Sequence, residues 1–251
     1  MKIAILLSGH PRFNKDFDTF LEKLKGYEQA DWFCYFWQHS DPYPTGFDLV
    51  SPSWANIDRD WAMEKIRSNL PPGNRLIDFE LADPNEVEIL NPANIQPHVN
   101  VDGLCKMYHG VYHADLFRQA HERRFGEYDL VIKARPDLVL LNDCDLVQIK
   151  QQLDQNPNTI VIPSNHIHGY GYRTNDMLGI GLSNTMKGYS NAITQFKAYA
   201  DAGFHFHPET LLAFHCNING ITFESGNFEV GVRVAGTTTD GVYRSDFGRW
   251  V

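Results

Sequence analysis

Residues 128–141 read YDLVIKARPDLVLL, and the way this run is interrupted decides the fold. Leu130, Val131 and Ile132 make a continuous apolar stretch rich in β-branched residues, the pattern of a strand covered on both faces. Lys133, Arg135, Pro136 and Asp137 break it before apolar residues resume. A buried strand has no place for charges, whereas the carboxyl end of a central strand in an α/β sheet opens on a ligand crevice. Lys133, Arg135 and Asp137 are therefore expected there, aimed at charged groups of a ligand. Pro136 agrees, since a residue without an N–H sits where strand pairing has ended or bulged.

Upstream, Leu104, Met107, Val111, Ala114 and Phe117 recur at three- and four-residue spacings and predict a long helix over 103–125. Lys106, Tyr108 and Tyr112 fall near its start, and the aromatic stripe reads as core. The chain opens in the same alternating style. Residues 2–7 predict a strand, Ser8-Gly9-His10-Pro11-Arg12 a turn, and Phe17, Phe20, Leu21 and Leu24 an amphipathic helix. Strand, glycine loop and helix open an α/β nucleotide-binding unit. The glycine lets backbone N–H groups approach a ligand and Arg12 reaches for a phosphate, although a plain tight turn would read the same without a G-x-G-x-x-G pattern.

Residues 31–37 and 75–81 predict two further strands, with a loop over 42–56 and a helix over 57–70 between them. Pro84, Pro92 and Pro97 mark 83–102 as a connection. Beyond 141, Asp145 caps a helix to Leu153, 159–163 is a short strand, and 164–172 is a His-, Gly- and Tyr-rich loop. Residues 178–182 are apolar. Ser183 or Asn184 is expected to cap one helix to about residue 200. Pro208 opens another that Gly220 ends, and Phe228, Val230, Val232 and Val234 suggest terminal strands. The expected fold class is α/β, a mainly parallel sheet with helices on both faces, in a single domain over 1–251.

Composition narrows the function. With 251 residues, 43% hydrophobic and 21% charged, this is the make-up of an ordinary globular protein. A net charge of -9 argues against nucleic acid as partner. No stretch nears the roughly 20 apolar residues of a transmembrane span. The N-terminal apolar run lacks a small-residue cleavage site and reads as strand rather than leader. Cys34, Cys105, Cys144 and Cys216 form no C-x-x-C pair, so the expectation is reduced thiols in a cytoplasmic protein.

The strand ending at Arg135-Pro136-Asp137 resembles the GT-A glycosyltransferases, in which a buried strand ends in Asp-x-Asp and the last carboxylate holds a metal against the donor diphosphate. Here Arg135 replaces the first Asp and Asp137 matches the last. The literal Asp143-Cys144-Asp145 lies just before a helix, where Asp serves as cap. Together, residues 7–13, 32–39, 128–138, the Asn175-Asp176 loop and residues 207–212 are similar to small bacterial and viral glycosyltransferase-like proteins related to the WavE lipopolysaccharide-synthesis group. The resemblance implies a GT-A-like fold and a nucleotide-sugar donor. It also implies Ser8, Gly9, His10 and Arg12 near the nucleotide, with Lys133, Arg135 and Asp137 near the diphosphate.

Residues 1–141 would then form the nucleotide-sugar half and 142–251 the acceptor side, facing a glycan of polysaccharide or lipopolysaccharide type. Asp137 would anchor a divalent cation, Mn²⁺ or Mg²⁺, with His215 as a further ligand, unless Arg135 neutralises the diphosphate instead. Asp176 and Glu209 are the carboxylates placed for catalysis, as base for the acceptor or as ion-pair stabiliser, though each also suits a cap. His168, Tyr170 and Tyr172 would contact the sugar. Two readings compete. One is a non-catalytic nucleotide-sugar or glycan-binding protein on the same fold. The other is a metal-dependent hydrolase built on His166, His168, His205, His207 and His215, which lack any HExxH spacing.

Overall fold

The N-terminal run forms β1 (Lys2–Gly9), buried from Ile3 through Ser8 and therefore covered on both faces. It is followed by α1 (Phe17–Lys23), β2 (Leu24–Lys25), β3 (Gln29–Trp37), α2 (Arg59–Asn69) and β4 (Asn74–Ala82). A 3-10 turn at Pro84–Glu86 leads toward α3 (Val101–Phe125), whose Asn100 cap accepts from the Gly103 N–H. Then come β5 (Leu130–Ala134), β6 (Leu138–Leu140), β7 (Cys144–Asp145), α4 (Leu146–Gln155), β8 (Thr159–Ile162) and β9 (Gly179–Gly181). The chain continues through α5 (Ser183–Ser190), α6 (Ile193–Asp201), α7 (Pro208–Ile218), β10 (Thr222–Ser225), β11 (Val230–Arg233) and β12 (Val242–Tyr243). This computed structural model describes residues 1–9, 17–38, 59–95, 99–136, 138–165, 174–233 and 242–243.

Seven strands form one sheet in the order β10-β8-β9-β5-β1-β3-β4. β1 sits between β3 and β5, parallel to both. From β1 the chain moves outward to β3 and β4, then returns to the other side of β1 with β5. Strand order therefore reverses between β1 and β5, and the carboxyl ends of these two strands flank the crevice that such a switch creates. Only β9 departs from the parallel direction, pairing antiparallel with both β5 and β8. No helix joins β8 to β9 among the described residues, and without a crossover helix the chain can re-enter the sheet reversed.

Two apolar layers cover the sheet. On one face Ile3, Ile5, Leu7 and Ile132 pack with Phe20 and Leu21 of α1, Ile66 of α2, and Leu146, Ile149 and Leu153 of α4. On the other, Ala4, Leu6, Phe33 and Val131 meet Tyr108 and Val111 of α3, Met186 and Tyr189 of α5, Phe196 of α6, and Leu212 of α7. The alternation along β1 and β5 assigns successive residues to opposite layers, and each fully buried Val, Leu or Ile contributes about 1.5–3 kcal/mol. Lys133 and Ser8 share the side of Val131 and Leu6, so they face the α3 and α7 layer.

Several sequence expectations change. Ser183 does not cap α5; Leu182 holds that position without a side-chain bond. The Ser183 hydroxyl instead accepts from Arg118 Nη1 at 2.6 Å and donates to Glu122 Oε2 at 2.8 Å. The single helix expected up to residue 200 is two, α5 and α6. The Gly188 carbonyl, which a continuous helix would bond to residue 192, lies 2.9 Å from His215 Nε2, and Asn191 Oδ1 approaches the same nitrogen at 2.9 Å. Asp145 caps α4 as expected, accepting from the N–H groups of Val147 and Gln148 at 2.9 and 3.2 Å. All four cysteines are buried and unpaired.

Candidate functional site

β1 ends in Ser8 and Gly9, and β5 ends beside it, with Leu7 paired to Ala134. Gly9 has φ of 118°, a backbone that a side chain would strain, and nothing packs where its Cβ would stand. Ser8 is buried against α3. Gly110 makes that approach possible, because a Cβ there would lie 3.2 Å from the Ser8 Cβ. Arg135 follows β5 half-buried, and its carbonyl accepts from the Leu138 N–H at 3.3 Å, closing the turn that carries Pro136. Pairing does end before Pro136, as its missing N–H requires.

Lys133 is 2% exposed. The expectation of a side chain reaching the ligand meets a different arrangement: its ammonium donates to the Asp176 main-chain carbonyl and lies 3.5 Å from that of Met177. The cause is the reversal of β9. Lys133 pairs with Gly179, so the segment entering β9 passes over the face on which the lysine stands. Asn175 shapes that segment by accepting from the N–H groups of Met177 and Leu178 at 2.7 and 2.9 Å, and Tyr189 donates to the Asn175 carbonyl at 3.4 Å.

Glu209 reaches the same place from the first turn of α7. The helix opens with Pro208 at a position that needs no N–H, and Tyr108 of α3 donates to the Pro208 carbonyl at 2.9 Å. The Glu209 side chain is 14% exposed, with Oε2 3.2 Å from His207 Nδ1 yet outside hydrogen-bonding geometry, so this oxygen is buried without a hydrogen bond. Burial, and next the charge of Asp176, push its carboxyl up to about 7, against the opposing pull of its own backbone N–H and of Lys133. Burial with the charge of Asp176 also holds the Tyr108 and Tyr189 hydroxyls well above the usual phenol range. Asp176, Glu209, Lys133, Tyr108 and Tyr189 thus form one electrostatic neighbourhood.

Asp31 shows what a buried carboxylate does when it is paired. At the opposite end of the sheet it accepts from Arg75 Nε and Nη2 at 2.8 Å each, from Tyr128 at 2.7 Å and from Gln29 at 2.9 Å. Burial raises its carboxyl, but these bonds outweigh burial and hold it below the ordinary value. Glu209 has the burial, but its own backbone N–H stands in place of those four donors. A carboxyl poised near neutrality in a crevice can exchange a proton with a ligand; one locked by four donors cannot.

Of the residues singled out in the sequence, the fold brings Ser8, Gly9, Lys133, Arg135, Asp176 and Glu209 to the carboxyl ends of β1 and β5 or to the elements facing them. His10, Arg12, Asp137, His168, Tyr170 and Tyr172 lie outside the described residues. His215 is corrected: it is buried between helices, its Nε2 bonded to the Gly188 carbonyl and its Nδ1 accepting from Tyr199 at 2.9 Å, so neither nitrogen has a lone pair left for an ion. Among the described residues no group of three or more His, Cys, Asp or Glu is arranged to hold a metal. Tyr108 was legible in sequence only as a core aromatic, nothing in its spacing indicated where its hydroxyl points, and Tyr189 was not singled out.

Among the described residues no helix is long and apolar enough to cross a membrane. No family model matches the chain, and no match to a curated protein was found.

Proposed function

We propose that the chain is a GT-A-like glycosyltransferase that moves a sugar from a nucleotide-diphosphate donor to a glycan acceptor. The observation that carries the reading is the pair of carboxylates, Asp176 and Glu209, brought from a strand entry and a helix start to the switch-point crevice, with Glu209 poised near pH 7. In the transfer, an acceptor oxygen bonds to the anomeric carbon while the bond from that carbon to the diphosphate oxygen breaks. The electron pair leaves with the diphosphate, and the acceptor proton goes to Glu209. Asp176 supplies negative charge on the donor side. Ser8, Gly9 and Arg135, at the ends of β1 and β5, would face the diphosphate. A divalent cation held by Asp137 would add to that neutralisation when bound. The mostly parallel sheet with one reversed strand is compatible with a GT-A topology.

The test is thermal stability of the protein against UDP-, GDP- and dTDP-sugars, with CMP-sugars as the donors lacking a second phosphate, each with Mn²⁺, Mg²⁺ or chelator. A ligand at 100 times its dissociation constant adds about 2.7 kcal/mol, a visible rise in Tm. One nucleotide class is expected to stabilise the protein, and Asp137→Ala to abolish the rise. A panel with no response in any arm removes nucleotide sugars as the ligand and the reading with them. Stabilisation without turnover on any acceptor would move the chain to the binding-protein class.

A further inference from the structure

We propose that Lys133 is the positioning residue of this site: its ammonium, bound to the main-chain carbonyls of Asp176 and Met177, fixes the turn that presents the Asp176 carboxylate beside Glu209. The inference rests on the transferase reading only for what the two carboxylates do; the positioning itself stands on geometry.

A lysine only 2% exposed on a central strand is expensive in hydration, and a hydrophobic residue of the same length would fill that volume. What the ammonium supplies is hydrogen bonds to a stretch that has no strand partner of its own. Three consecutive carbonyls, those of Asn175, Asp176 and Met177, each face a buried donor from another element: Tyr189 of α5 for the first and Lys133 of β5 for the other two. On the inner side of the turn Asn175 Oδ1 takes the N–H groups of Met177 and Leu178. The backbone is thus held from both sides. Its counterpart is held likewise, by Tyr108 on the Pro208 carbonyl one residue before Glu209. Side chains whose backbone is locked in this way arrive at a ligand already oriented.

The charge of Lys133 acts on the same pair. Glu209 faces Asp176, Lys133, Tyr108 and Tyr189 across the layer and His207 on its own segment, and Lys133 is the fixed cation among them. Holding the turn and tempering the proton affinity of Glu209 are separable, because a glutamine retains a donor and loses the charge.

The experiment compares Lys133→Met and Lys133→Gln with the wild-type chain, without any nucleotide sugar. Amide hydrogen exchange is read at Met177 and Leu178 and, for reference, at Ile132 and Ile180. The Glu209 titration is followed by carboxyl ¹³C shifts, assigned by their loss in Glu209→Gln. Lys133→Met is expected to speed exchange at Met177 and Leu178 by about tenfold or more while Ile132 and Ile180 stay within about threefold. Lys133→Gln is expected to keep all four amides within about threefold yet to raise the Glu209 midpoint. Uniform acceleration across the sheet would mean a merely structural lysine, and unchanged exchange at Met177 and Leu178 would mean that it holds nothing; either overturns the proposal. Should Lys133→Met not fold, the wild-type chain decides: a Lys133 ammonium that shows no through-hydrogen-bond coupling to the Asp176 carbonyl carbon overturns the proposal. The nucleotide-sugar panel judges the transferase reading separately, so the two can fail independently.

Discussion

Replacing Glu209 with Gln removes one titrating group and keeps the shape, and the structure fixes both the size and the sign of the pH dependence that disappears. An unfolded glutamate titrates at 4.5 and the folded Glu209 at about 7. The folded state therefore holds this proton more tightly, and between those values it binds more protons than the unfolded chain. Stability from this group is complete below pH 4.5 and is lost as pH rises through about 7. At about 1.4 kcal/mol per tenfold difference in proton affinity, the loss is roughly 3 kcal/mol, with little screening because the side chain is only 14% exposed. Urea unfolding of wild type and Glu209→Gln across this range would show the variant gaining about 3 kcal/mol relative to wild type as pH rises, with the urea slope unchanged. A difference between the two proteins that stays flat with pH would refute the argument. A difference of opposite sign would mean that His207, 3.2 Å away, acts as a cation that wins over burial.

Asp145→Ala strips the two hydrogen bonds that start α4 and is expected to cost about 1 kcal/mol in the same unfolding assay, with no effect at the crevice. Arg118 is fully buried between Asp115 and Glu122 at 2.6 Å each; Arg118→Leu leaves both carboxylates uncompensated and should cost about 3–5 kcal/mol, read as a lower midpoint of unfolding. Gly110→Val would drive side-chain atoms into Ser8 and Tyr35, whose Cβ and Cδ1 atoms stand 3.2 and 3.6 Å from the position of a Cβ. An overpacking penalty of about 1–3 kcal/mol is expected there, with a smaller nucleotide-sugar shift in Tm because the end of β1 is displaced.

The strands of the first half could be read directly, because β1, β3 and β5 are buried on both faces and their apolar runs stop where the sheet stops. The end of β5 just before Arg135 and Pro136 was read correctly, and Asp145 correctly as a cap. Lys133 was misjudged for a reason no local pattern carries: its partners are main-chain carbonyls 43 and 44 residues away, delivered by a strand that runs the other way. The split between α5 and α6 was hidden similarly, since the apolar spacing continues through Asn191 and the interruption comes from His215 on another helix. Glu209 and Asp176 stood out as carboxylates, but their meeting is tertiary. Periodicity reports which face of an element is covered, not which distant groups cover it.

The reversal of β9 reaches beyond Lys133. β8 ends at Ile162 on the crevice side of the sheet and β9 begins at Gly179 on that same side, so both anchor points of the connection between them lie at one edge of the sheet. Lengthening such a connection adds only about 0.6 kcal/mol of closure entropy per doubling and disturbs no strand register. It is therefore the natural graft point of this scaffold. Exchanging these residues between otherwise similar chains, with Asn175 and Asp176 kept as the anchor, would change what the rim presents while the sheet folds as before.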